Sequence, residues 1–268
     1  MMSDPFQDVD AAGADFVANV VKVLETRAAE PVMVEIVEAY LDHADFPEGG
    51  LHIEIGAGSG AVTRRIAARA GNGQAIGTDP SEGLIAAAAE LGRDIANLSF
   101  ETADGTALRF DDASVDTVVM HTVLSHVTAP EALLAEAFRV LKPGGKLIIC
   151  DADFEKTSIG IAAGDPMQAC AIYFVENFVT DKYLVGKLRA LVRAAGLAVE
   201  HFGITPRVIT EGAGAMSWVG IGGADMVAKG LISADLHKAL IAEHDRRMAE
   251  GSFYGFQPFA TLVAQKPG

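Results

Sequence analysis

The chain of 268 residues is half hydrophobic and only 7% aromatic, enough to build one large domain, or one domain with an appended subdomain, around a sizeable core. A formal net charge of −15 argues against nucleic acid as a partner, because such a surface repels phosphate backbones and the densest basic spot, Arg246-Arg247, sits beside Glu243 and Asp245. No apolar run reaches the roughly 18 residues that span a bilayer, and two cysteines, Cys150 and Cys170, make neither a disulfide framework nor a four-thiolate zinc site.

The acidic start MMSDPFQDVD lacks the basic and then apolar order of a secretory signal. A reducing cytoplasm is the expected setting, without membrane insertion. Residues 11–43 read as helical, with Pro31 opening a second piece whose Met33, Ile36, Val37, Tyr40 and Leu41 recur at helical spacing. PEGG then breaks the chain before LHIEI, a buried-strand pattern over 51–55. AVTRRIAARA follows as a helix, QAIGTD as a short strand, SEGLIAAAAELG as a helix that Gly92 terminates, and NLSFETAD as another strand.

DTVVMHT at 116–122 is a continuous apolar run of buried-strand type, and Thr128 with Glu131 has capping-box spacing for the helix EALLAEAFRVL. LKPGG stops that helix before KLIICD, the next β-branched run. This alternation predicts right-handed βαβ units and a parallel sheet covered by helices on both faces. Beyond residue 152 the rhythm loosens: 164–178 and 181–196 read as helices, LAVEHFGITPRVI as a strand, and EGAGAMSWVGIGGADMVAKG as a poorly patterned glycine-rich stretch. Ser233 caps a helix presenting Leu236, Leu240 and Met248 on one face, and 256–264 closes the chain as a strand.

The stretch that carries chemistry is LHIEIGAGSG. Gly56, Gly58 and Gly60 lie between a strand and a helix, where missing Cβ atoms permit a sharp turn and close approach to a ligand. With Ala61 the loop also satisfies the GxGxxA variant of the dinucleotide fingerprint, so a nicotinamide-dependent oxidoreductase enters the comparison. Glu54 separates these readings. A carboxylate ahead of the turn repels a pyrophosphate, whereas it suits a ligand carrying an ammonium and a sulfonium and no phosphate. The alternative is a Glu54 held by backbone amides of the loop.

The chain resembles the class I S-adenosylmethionine-dependent methyltransferases, and among them the small-molecule enzymes of ubiquinone and menaquinone biosynthesis. EIGAGSG at 54–60 is similar to that family's first motif, IGTDPS at 76–81 to its second-strand motif, and ADGTALRFDDASVDTVV at 103–119, HTVLSHV and RVLKPGGKLII to its later ones. The resemblance covers 51–152 continuously. It implies a Rossmann-like three-layer α/β sandwich with a seven-stranded, mostly parallel sheet whose last strand is antiparallel, plus N-terminal helices and a helical insertion before the last strand.

It also implies an N-terminal helical cap over 1–50, a cofactor-binding core over 51–152, and a C-terminal part, 153–268, that completes the sheet and covers the substrate, with the insertion at 211–250. The implied cofactor contacts are Glu54, Gly56, Ala57, Gly58 and Gly60 in the loop, and Asp79 with Pro80 at the ribose. Asp104 and Gly105 would meet the adenine, and the backbone of His121 the methionine portion. Two carboxylate oxygens match a vicinal diol, which agrees with the role implied for Asp79; the same residue also suits the N-terminus of the following helix.

Transfer from a sulfonium is an in-line displacement in which proximity supplies much of the catalysis. A base is required only where the acceptor must lose a proton, and His126, Asp151 and Asp153 are the candidates, with a structural role preferred for His126. Catechol-type enzymes hold Mg²⁺ with a further acidic ligand after the fourth strand, where this chain has His121-Thr122; no metal site is therefore expected. Two cysteines are too few to bind arsenite, and HTVL matches neither an adenine N6 nor a cytosine C5 signature. The expected acceptor is a small, apolar or aromatic metabolite, methylated at O, C or N. Tyr173, Phe174 and Trp218 are candidates to cover it, and 212–223, within 211–232, is a candidate lid. A non-catalytic cofactor-binding protein of the same fold is the alternative function.

Overall fold

In the computed structural model the described residues are 4–212, 215 and 217–268, the side chain of Ser217 excepted. Two helices open the chain, α1 (Ala14–Ala28) and α2 (Pro31–Leu41). The alternation follows, with β1 (Leu51–Ile55), α3 (Ala61–Ala70), β2 (Gln74–Asp79), α4 (Glu82–Gly92), β3 (Leu98–Thr102), β4 (Val115–His121), α5 (Pro130–Val140) and β5 (Leu141–Ala152). After β5 come α6 (Pro166–Phe178), α7 (Leu184–Ala194), β6 (Ala198–Ile209), α8 (Gly223–Ala228), α9 (Ala234–Ala249) and β7 (Gly255–Gln265).

The seven strands form one sheet in the order β3-β2-β1-β4-β5-β7-β6. The first five are mutually parallel, and β7 inserts antiparallel to both β5 and β6. The chain reverses its winding direction between β1 and β4, and ligands of open α/β sheets bind beyond the carboxyl ends of the strands at such a switch point.

Period-two alternation splits the strands between two cores. Val119, Ile148 and Cys150 face a core shared with Met33, Ile36, Ile66 and Phe174. Their neighbours Val118, Met120, Leu147 and Ile149 face the opposite core, with Leu134, Leu188 and Val192. Burial on both faces explains why β4 and β5 read as unbroken apolar runs.

Two local expectations are corrected. Thr128 does not cap α5: the N-cap is Ala129 and no side chain bonds the first amides. Pro130 at the first helical position supplies the fixed φ instead and needs no amide partner. The helix α4 does end at Gly92, which packs on β3: a Cβ there would lie 2.7 Å from Leu98. On α9 the buried positions are Leu240, His244 and Arg247, while Leu236 is exposed.

Of the glycine-rich stretch, residues 213, 214 and 216 lie outside the described residues. The part that follows is helical, a π-turn over Ser217–Gly222 running into α8. Gly222 packs on α6, where a Cβ would meet the Cys170 carbonyl at 3.0 Å. The Arg246-Arg247 pair is neutralised: Arg247 bonds Asp165 at 2.6 Å and Glu243 at 2.7 Å, and Arg246 bonds Glu243 and Glu250. Among the described residues no helix is long and apolar enough to cross a membrane.

Candidate active site

A cavity of about 890 Å³ opens at the carboxyl edge of the sheet. Its floor is the turn between β1 and α3. Gly56, Gly58 and Gly60 all adopt left-handed φ values, 73°, 55° and 77°. A Cβ on Gly56 would lie 2.4 Å from Val123, and one on Gly58 would lie 2.8 Å from Leu24. Gly60 serves a different purpose. It lies off the cavity wall, and its missing Cβ makes room for the Phe100 ring, 2.4 Å away.

The turn commits its amides inward. Gly56 and Ala57 both donate to the Thr78 carbonyl, at 2.7 and 2.9 Å, and Gly60 donates to Ala57 at 2.8 Å. Gly58 donates to Asp79 Oδ2 at 2.9 Å, while Ser81 donates to Oδ1 at 3.0 Å. A diphosphate-binding loop needs amides free to point at oxygen anions; here four are engaged, one of them by the carboxylate of Asp79.

Glu54 is 2% exposed and receives the Thr63 hydroxyl on Oε2 at 2.5 Å. The partner is thus a side chain of α3, not the loop backbone. Thr63 went unread in the sequence, although a threonine on the apolar face of AVTRRIAARA was the available signal. Burial pushes the Glu54 carboxyl up to about 8, Asp79 adds to the rise, and Thr63 opposes it. Asp79 is also raised, first by burial, with the Ser81 and Gly58 amides opposing.

Asp79, Pro80, Asp104 and Gly105 all reach the cavity wall, as do Glu54, Ala57 and His121. Asp104 is exposed at the rim and accepts from the amide and hydroxyl of Thr106, at 2.8 and 2.7 Å. Both hydrogen bonds hold its carboxyl below the usual range. Gly105 is needed for packing, since a Cβ would meet Ile55 and Leu133 at 2.6 Å each.

At the end of β4, His121 Nδ1 and Tyr40 Oη share a hydrogen bond of 3.1 Å. Burial, aided by the charge of Arg27, pushes the imidazole down to about 3, so it is neutral at working pH. Thr122 has φ +55°, a left-handed conformation costly for a β-branched residue and concentrated at functional sites. Its hydroxyl accepts from Arg27 Nη2 at 3.0 Å.

Of the three candidate bases, only His126 lines the cavity. It lies in a short turn, Leu124–His126, and its Nδ1 meets Asp4 Oδ2 at 2.8 Å. Asp151 is fully buried in β5, accepting from the Ser125 hydroxyl at 2.7 Å and amide at 3.2 Å. Asp153 lies beyond β5, outside the lining residues. Phe174 and Trp218 do reach the wall; Tyr173 instead bonds Asp225 at 2.7 Å. Among the described residues no group of three or more His, Cys, Asp or Glu side chains could hold a metal ion.

The wall residues the sequence did not flag come mostly from outside the core. Arg27 enters from α1, Glu30 from the link between α1 and α2, Met33 from α2, Arg207 from β6 and Gln257 from β7. Arg207 is 2% exposed and grips Glu30 with two bonds of 2.7 and 2.6 Å. The N-terminal segment closes the top, with Phe6 packed on His126 and Phe174 at ring distances of 5.1 and 6.5 Å.

A family model described as a methyltransferase domain matches residues 53–149. A demethylmenaquinone methyltransferase of Clavibacter sepedonicus is 30% identical over 207 residues, 70% of this chain and 76% of that protein. The ubiquinone/menaquinone biosynthesis C-methyltransferase UbiE of Roseobacter denitrificans is 32% identical over 117 residues, covering 42% of this chain. The chain spans about half the length of two of the curated relatives it matches, 46% and 47%.

Among solved structures, a phosphoethanolamine N-methyltransferase 2 of Haemonchus contortus in complex with S-adenosyl-L-methionine superposes with a TM-score of 0.60 at 16% identity, over 99% of this chain and 60% of that one. A SAM dependent methyltransferase of Aquifex aeolicus gives 0.54 at 16% identity, over 91% and 97%. The chain belongs to the class I S-adenosylmethionine-dependent methyltransferases. Within that class it resembles the quinone-biosynthesis enzymes.

Proposed function

We propose that this protein methylates a small metabolite held in the chamber beyond the glycine turn. One observation carries the reading: a single cavity joins the acidic glycine turn to an apolar chamber, and about 890 Å³ accommodates a nucleoside together with a second small molecule. S-adenosylmethionine, when bound, supplies an electrophilic methyl group on a sulfonium.

Under this reading Glu54 faces the ammonium of the methionine portion, and Asp79 accepts from the ribose hydroxyls. Asp104 and Gly105 bound the adenine, and the turn at His121-Thr122 borders the methionine portion. Gly56, Ala57, Gly58 and Pro80 shape the floor, while Gly60 supports it from below through Phe100. The residues before β1 form a cap, 51–152 the cofactor half, and 153–268 the acceptor half. Phe6, Phe174 and Trp218 exclude water and hold the acceptor in line, so orientation supplies most of the rate. His126 is the candidate base where the acceptor carries a proton, although its contact with Asp4 suits the structural role preferred for it. The interior setting of the cavity and the acidic surface favour a small molecule over a nucleic acid.

The test is transfer of a labelled methyl group from S-adenosylmethionine into fractionated cell extract. Label in the low-molecular-weight fraction, with stoichiometric S-adenosylhomocysteine, is expected. Label confined to protein or nucleic acid, or cofactor binding without turnover, would contradict the proposal.

A further inference from the structure

Glu54, Asp79 and Asp104 reach the cavity wall from β1, the end of β2 and the turn after β3, whereas Arg207 comes from β6 and Arg27 from α1, against Thr122 after β4. Arg207 is matched by Glu30 and also bonds Gln257 at 3.3 Å. Arg65, also on the wall, bonds Glu38 at 2.9 Å. Arg27 differs. Its hydrogen bond is to the neutral hydroxyl of Thr122, and among the described residues no carboxylate lies within ion-pair distance of it.

Burial and the neighbouring Arg207 hold the Arg27 guanidinium down to about 10, which leaves it charged at neutral pH. The charges that act on it most are Arg207, which opposes its proton, and Cys150, Glu30 and Asp151, which favour it. None of these acids hydrogen-bonds Arg27: Glu30 is held by Arg207, and Asp151 is turned onto Ser125. A partly buried guanidinium that lacks a carboxylate is costly unless a ligand supplies one. The same cavity wall also carries the apolar side chains of Met33, Phe154, Phe174, Trp218 and Ile221.

We infer that the acceptor carries a carboxylate on an apolar body, and that Arg27, positioned by Thr122, is the residue that recognises it. A guanidinium fork matches a carboxylate in two parallel hydrogen bonds, so the contact sets orientation as well as affinity. The inference rests on the methyl-transfer reading. A second source of the same chemistry is the carboxylate of the methionine portion of the cofactor, and the experiment separates the two.

The probes are benzoate, 3-phenylpropanoate and 2-naphthoate, each beside its neutral amide, titrated into protein saturated with S-adenosylhomocysteine. At least one acid should bind about tenfold or more tightly than its amide, as expected for a charge-assisted bidentate contact. Arg27→Met should erase that preference while leaving S-adenosylhomocysteine affinity within about twofold of the wild type, and Arg27→Lys should restore part of the preference. Acids that bind no better than amides, or not at all, would overturn the inference, as would a tenfold or larger loss of S-adenosylhomocysteine affinity in Arg27→Met, which would assign the contact to the cofactor. Should Arg27→Met fail to fold, the comparison of acid with amide on the wild type decides alone. Failure of the wild type to bind S-adenosylhomocysteine would instead strike the methyl-transfer reading.

Discussion

Asp79 carries two duties that pull on the same two oxygens. It fixes the glycine turn through Gly58 and the start of α4 through Ser81, and in the proposed complex it also accepts from the ribose. Each oxygen has lone pairs for both. Replacing it with alanine should therefore cost about 2–4 kcal/mol of cofactor affinity, from stranded hydroxyls and a loosened turn. Isothermal titration with S-adenosylhomocysteine measures the loss, and Asp79→Asn, which keeps one acceptor, should fall between. Unchanged affinity in Asp79→Ala would refute the ribose role. The type and position of Asp79 were legible because an acidic residue after a short strand has few reasons to be there. Thr63 and Arg27 were not, since their partners lie 9 and 95 positions away and only the fold joins them.

At the scale of elements, the turn from β1 to α3 is shaped by what sits beneath it. Gly60 combines a φ of +77° with a ring carbon of Phe100 at 2.4 Å from any Cβ, whereas Gly71, at the other end of the same helix, has φ +57° and nothing within 4 Å. Gly71→Ala should cost about 1–3 kcal/mol from backbone strain alone, because φ +57° with ψ −110° lies outside the left-handed well that Gly60 occupies. Gly60→Ala should cost about 2–4 kcal/mol, strain and overpacking together. Urea denaturation with unchanged m-values reads both, and a loss of only about 1 kcal/mol in Gly60→Ala, the left-handed penalty alone, would show that Phe100 yields freely. Elements of the parallel half were readable because β1, β4 and β5 are buried on both faces and announce themselves as apolar runs. The ends were less so: α5 starts on Ala129 without a side-chain cap, and residues 217–228 of the glycine-rich stretch fold as a π-turn and helix because Trp218 and Val219 are buried, a tertiary effect with no local periodicity.

For the whole molecule, the acidic turn is linked to pH. A carboxyl raised from its ordinary 4.5 to about 8 favours the protonated fold, so its contribution is fully present below about pH 4.5 and is lost as pH rises through about 8. His52 and His121 act oppositely. Burial lowers them from 6.5 to about 4 and about 3, so their contribution is present above 6.5 and lost as pH falls through those lower values. A cation docked beside Glu54 favours its ionised form, and at pH 7 binding must then expel the proton that burial retains.

Calorimetric titration of S-adenosylhomocysteine at pH 7, in two buffers of different ionisation enthalpy, tests this most directly. One-to-one binding with release of about 0.5–1 proton is expected, with affinity that rises from pH 6 to pH 8 and loss of both effects in Glu54→Gln. Binding with no proton exchange in the wild type, or preferential binding of a nicotinamide dinucleotide, would contradict it.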